Sequence, residues 1–148
     1  MTFAPPLKEL AKIEVTPEPA AGQGLSLNEK ALVPAPALIG PWHSIGAPGE
    51  PAFQGTWVNF DTDRPARFCK DASGFVHLEG LIKSGTINTV AFTLPIGYRP
   101  GHVGGSAHFV VDSNGAFGVV TVNVSGDVNP FVGNNTYVSL ATIHFRAA

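Results

Sequence analysis

The sequence predicts an all-β protein: an antiparallel β-sandwich, jelly-roll-like, of about seven to eight strands, preceded by an extended Pro-rich N-terminal arm. Three observations predict it. The 148 residues include 17 glycines and 13 prolines, the punctuation of a chain that turns often. Beyond residue 55, short runs rich in β-branched and aromatic residues recur between turn signals, the pattern of an antiparallel sandwich or barrel. Charged residues make up only 14%, well below the usual quarter, which fits a chain whose nominal surface is partly covered by partner subunits.

The two ends of the chain differ. Nine of the 13 prolines lie in residues 1–51, where Phe3 and Trp42 are the only aromatic residues; twelve follow. A Pro-rich, aromatic-poor segment cannot build its own core. Residues 1–40 are therefore read as an arm and 41–148 as the globular domain. In the arm, Leu7, Leu10 and Ile13 follow prolines suited to a first helical turn. Leu25, Leu27, Leu32 and Val33 flank Ser26 and Glu29, which have capping-box spacing. Both pieces are too short to be stable alone, so these apolar residues are the expected anchors to a partner, either sister subunits or a larger assembly.

Within the domain the expected strands run in order. "TWVNF" (56–60) and "ARFCKD" (66–71) come first, then a turn at Asp71-Ala72-Ser73-Gly74. In "GFVHLEGLIK" (74–83), Val76, Leu78 and Ile82 alternate with His77, Glu79 and Lys83, giving one buried and one wet face. "NTVAFTL" (88–94) ends at Pro95, which cannot donate to a ladder. "SAHFVVD" (106–112) and "AFGVVTVNV" (116–124) are joined through Asn114-Gly115, a strong hairpin signal. A short strand near Val128 follows, and "YVSLATIHF" (137–145) closes the series. Leu140 and Ile143 fall on opposite faces of that last run under strict alternation. A bulge, or burial of both faces in an oligomer, accounts for that, and Leu140, Ile143 and Phe145 become the candidate subunit interface.

"VAFTLPIGYRPG" (90–101) places Tyr98 and Arg99 between two turn signals, Gly97 and Pro100-Gly101. Loops on rigid scaffolds carry binding, so Tyr98, Arg99 and His102 form a candidate surface contact loop.

The sequence argues against several classes. A net charge of −2 gives no electrostatic basis for nucleic-acid binding. No run of about 18 apolar residues predicts a membrane span, and "MTFAPPLKELAK" lacks the apolar core of a secretory signal. Cys69 is the single cysteine; alone it makes no zinc site and reads as a small buried hydrophobe. His77 and Glu79 share a strand face without a third ligand at a useful spacing. No nucleophile elbow, P-loop or dinucleotide loop occurs, and the carboxylates are scattered. No catalytic, cofactor-binding or metal residue is assigned.

"PAFQGTWVNF", "ARFCKDASGFVHLEGLIKSGT", "FTLPIGYRPG", "GVVTVNVSGDV" and "YVSLATIHF" resemble, in that order, the C-terminal tip domain of tailed-bacteriophage tail fibre and receptor-binding proteins. The matching residues are Trp57, Arg67, Lys70, Asp71, Gly74, Val76, Leu78, Gly80, Leu94, Pro95, Gly97, Tyr98, Arg99, Pro100, Leu140, Ile143 and Phe145, across roughly residues 41–146. The set is specific as an ordered whole; each piece alone is weak. The resemblance implies a β-sandwich that assembles as a homotrimer on the virion surface and contacts a host-surface glycan or protein. The short arm departs from the long shaft usual in fibres. A capsid decoration protein on the same module is the alternative, and a glycan-degrading enzyme the minor one.

Overall fold

The computed structural model describes residues 38–102 and 104–148, and every structural statement below concerns these. They contain eleven strands and no helix: β1 (His43–Ser44), β2 (Val58–Asn59), β3 (Arg67–Lys70), β4 (Phe75–Glu79), β5 (Leu81–Lys83), β6 (Phe92–Thr93), β7 (Ser106–Ser113), β8 (Ala116–Asn123), β9 (Asp127–Val132), β10 (Val138–Ser139) and β11 (His144–Arg146). Two antiparallel sheets form a sandwich. The larger has the order β2-β5-β10-β7-β8-β9-β6, the smaller β11-β4-β3-β1. The expected strands are recovered; the count rises because β1 is added and two of the expected strands are each divided between the sheets.

The division is one structural event. The segments 75–83 and 138–146 pair as a ribbon that begins in the small sheet, where His144 faces His77, and ends in the large one, where Ser139 faces Leu81. The corner carries Gly80 on one side and the turn Leu140–Ile143 on the other, tied by Leu140 N–H to Gly80 O at 2.9 Å and Leu78 N–H to Ile143 O at 3.0 Å. Gly80 has φ +104°, and a Cβ there would stand 2.7 Å from Ala66 N and closer still to the Pro65 carbonyl; only glycine fits. Five steps from Ser139 to His144 oppose four from Leu81 to His77, so the later segment holds one extra residue at the corner.

That extra residue corrects the expectation of a trimer interface at Leu140, Ile143 and Phe145. It reverses the side-chain parity, as a bulge does, and turns Leu140 and Ile143 both inward. All three are buried in the domain's own core, together with Trp57, Phe68, Phe92, Leu94 and the valines of both sheets. The two faces of the last run are both apolar because the run serves two sheets, not because a subunit covers it.

Turn chemistry accounts for the remaining connections. Asn114 and Gly115 both take positive φ, 54° and 76°, closing the eight-residue β7–β8 hairpin as a two-residue loop of this composition does. The Asp71 carboxylate accepts from Ser73 N–H, Ser73 Oγ and Phe75 N–H at 2.8–3.0 Å and so builds the β3–β4 turn. Trp57 is fully buried with Nε1–H on Thr89 Oγ1 at 3.2 Å, and Gly85 leaves room for its indole.

Candidate functional site

The loop after β6 turns one step earlier than the sequence suggests. Tyr98 N–H bonds Pro95 O at 3.1 Å with Gly97 at φ +96°, so Ile96 and Gly97 form the tip in the arrangement of a type II turn. Ile96 is 86% exposed. Tyr98 is corrected from the loop tip to the domain body: it is half-buried and packed against the core. Its ring meets Phe68 edge-on at 5.0 Å, Lys70 Nζ stands 5.2 Å from the ring centre, and its hydroxyl pairs with His43 Nε2 at 3.1 Å. Arg99 is half-buried too, its Nε–H donating to Leu94 O at 2.7 Å. Of the three residues read as a contact loop, His102 alone is exposed.

A richer surface lies on the outer face of the small sheet. Arg67 on β3 and Glu79 on β4 are cross-strand partners, and the guanidinium reaches Glu79 Oε2 through Nε at 3.0 Å and Nη2 at 2.8 Å. Trp42, 37% exposed, lies against Arg67 with 4.6 Å from ring centre to Cζ. A groove of about 280 Å3 opens beside this pair, lined by Asp63, Arg64, Arg67, Glu79 and Ser139 among others. A second, of about 220 Å3, runs along Trp42, His77, Glu79 and His144. Both share Glu79 and Ala141, so these two residues mark the divide between two adjoining hollows. Arg64 is held by Asp61, which lowers the Asp61 carboxyl below its ordinary value and raises the Arg64 guanidinium.

The polar chemistry of this face is paired rather than poised. His77 Nε2 meets Asp71 Oδ2 at 2.7 Å, and its ring stacks on His144 at 6.0 Å. Hydrogen bonds from His77, then Ser73 and Phe75, hold the Asp71 carboxyl far below the usual carboxylate range. Cys69 faces His77 across the strands but is fully buried, and burial pushes its thiol up, away from the thiolate a nucleophile needs. Among the described residues no group of three His, Cys, Asp or Glu side chains is placed to hold a metal ion. The face thus presents an indole, an ion pair in which two guanidinium N–H groups meet one carboxylate oxygen, and carboxylates and imidazoles around shallow hollows.

No family model, curated protein or solved structure matches this chain.

Of the residues singled out from sequence, Leu7, Leu10, Ile13, Leu25, Leu27, Leu32 and Val33 lie outside the described residues. The first described contacts belong to the sandwich: Ile39 bridges Asp71 and Gly40 N–H bonds Lys70 O at 3.0 Å, so residues 39 and 40 extend the small sheet. Sequence reasoning missed the Trp42–Arg67–Glu79 cluster. The signal was present in part, since Arg67 and Glu79 each lie six residues from Ser73 in the turn, at the spacing that makes them cross-strand partners.

Proposed function

We propose that this chain is a bacteriophage virion structural protein: a homotrimeric, tail-fibre-like receptor-binding protein, held to the particle by its N-terminal arm and presenting the sandwich to the host surface. The observation that carries the reading is where the residues of the tip-domain resemblance fall in the fold. Asp71 and Gly74 make the β3–β4 turn, and Gly80, Leu140 and Ile143 make the corner between sheets. Leu94, Gly97, Tyr98 and Arg99 lock the loop after β6 onto the core, and Trp57 plugs it. An ordered set of motifs thus builds consecutive corners of one sandwich, which supports a shared architecture rather than a scatter of chance identities.

The two hollows that meet at Glu79, one lined by Arg67 and the other by Trp42, are the surface assigned to the receptor. A planar guanidinium fork, carboxylates and an indole together suit a hydroxyl-rich ligand such as a host-surface glycan, which offers hydrogen-bond donors and acceptors along with apolar sugar faces. The full-length protein, added in excess, should block adsorption of the phage that carries it. Trp42→Ala and Arg67→Ala proteins should lose that block while melting like wild type. Unchanged adsorption with the protein present in particles would move it to the capsid, as a decoration protein using the same sandwich. Absence from particles would overturn the proposal.

A further inference from the structure

We infer that the outer face of the seven-stranded sheet is the surface through which copies of this chain associate. An antiparallel sheet with one face on the core ordinarily turns polar residues outward. Over one end of β7, β8 and β9 this sheet does not. Val110 faces Val119 and Val119 faces Val132, a valine row across three strands on the outward side. Phe117, the next outward residue on β8, is 64% exposed, and Val110 is 65% exposed. The register break between Pro130 and Val132 leaves Phe131 exposed as well, its ring edge-on to His108 at 6.1 Å.

The occupant follows from charge and size. β7, β8 and β9 contain no lysine, arginine or glutamate. The one carboxylate on this end, Asp112, accepts from the Tyr137 hydroxyl at 2.9 Å, an arrangement that raises the Tyr137 hydroxyl. An anionic partner would find no cation on these strands, and a strongly cationic one only Asp112, already bonded to Tyr137, so either would bury charges unpaired. An identical face brings only that one hydrogen-bonded carboxylate. Two partly exposed phenylalanines and three valines present roughly 400 Å2 of apolar surface, within the range of about 300–600 Å2 of the largest patch on a typical monomer, which is often functional. That is about half of the ~800 Å2 each partner gives to a stable interface. At the polar end of the same strands Ser106 and His108 are exposed and border the patch as a hydrogen-bonding rim, the usual anatomy of such contacts. Further copies of the chain, each turning this face toward a shared symmetry axis, fit both constraints.

The test is the mass of the full-length protein in solution by light scattering with sedimentation velocity. Wild type should run at a multiple of 15.5 kDa. Phe117→Asp and, separately, Val110→Lys should run as monomers with melting curves within a few degrees of wild type, because both positions are exposed in the single chain. Ile96→Asp, on the loop after β6, should keep the wild-type mass. A monomeric wild type at about 100 μM would overturn the inference, as would assembly that survives both face substitutions. An oligomer broken by Phe117→Asp from a protein never found on virions would leave this surface standing and remove the proposed function.

Discussion

Replacing Gly80 by alanine probes the corner on which both sheets depend. Two costs are separable. A side chain at φ +104° sits in backbone space that L-residues avoid, at about 1–2 kcal/mol. The new Cβ also meets the Pro65–Ala66 backbone, with Ala66 N at 2.7 Å, and that backbone cannot retreat freely: Ala66 N–H bonds Asn59 Oδ1 at 2.7 Å and Ile45 N–H bonds Ala66 O at 2.9 Å. Forcing atoms into a packed site costs about 1–3 kcal/mol. Gly80→Ala should therefore destabilise by about 2–5 kcal/mol. Gly49 supplies the control, since it has φ +82° and a methyl group there would meet nothing within 4 Å. Gly49→Ala should cost only the backbone part, about 1 kcal/mol. Urea unfolding with linear extrapolation measures both. If the two variants fall within about 0.5 kcal/mol of each other, the close approach at the corner is not what fixes Gly80.

Three further outcomes follow from the packing and the charges. Trp57→Ala should cost about 3–5 kcal/mol in the same assay, since the indole is fully buried; a loss under about 1 kcal/mol would place Trp57 outside the core. Tyr98→Ala should cost about 2 kcal/mol through lost packing on Phe68, with Tyr98→Phe nearer 1 kcal/mol for the His43 hydrogen bond; a neutral alanine variant would return Tyr98 to the surface. Asp71 has its carboxyl lowered from 3.8 on folding, so it stabilises the fold above about pH 4 and that contribution fades as pH falls through the lower folded value. The urea midpoint of wild type should then drop more steeply than that of Asp71→Asn below about pH 4, and parallel curves would contradict the assignment.

The sequence carries the strand positions well where local chemistry decides them. Asn114-Gly115 and Asp71–Gly74 specify their turns by themselves, and the alternation of Val76, Leu78 and Ile82 predicts the buried face that the structure has. It carries less where two distant segments act together. The split of 74–83 and 137–145 between sheets depends on a corner formed jointly by Gly80 and Leu140–Ile143, and neither stretch alone encodes a break. Tyr98 leaves its expected place at the tip because the turn centres on Ile96–Gly97, bringing the ring back onto His43 and Phe68, residues whose nearness is visible only in the fold. The apolar outer face of β7–β9 is masked by runs such as "GVVTV", in which both strand parities are apolar and periodicity assigns no side.

The central claim is that this protein is a surface component of a phage particle, and immunogold electron microscopy of purified particles tests it most directly. An antibody raised against residues 41–148 should label the tail tip, at a density consistent with three copies per site. Label spread over the head would replace the receptor-binding role with capsid decoration. Particles that stay unlabelled, and that contain none of the protein by mass spectrometry, would contradict the account.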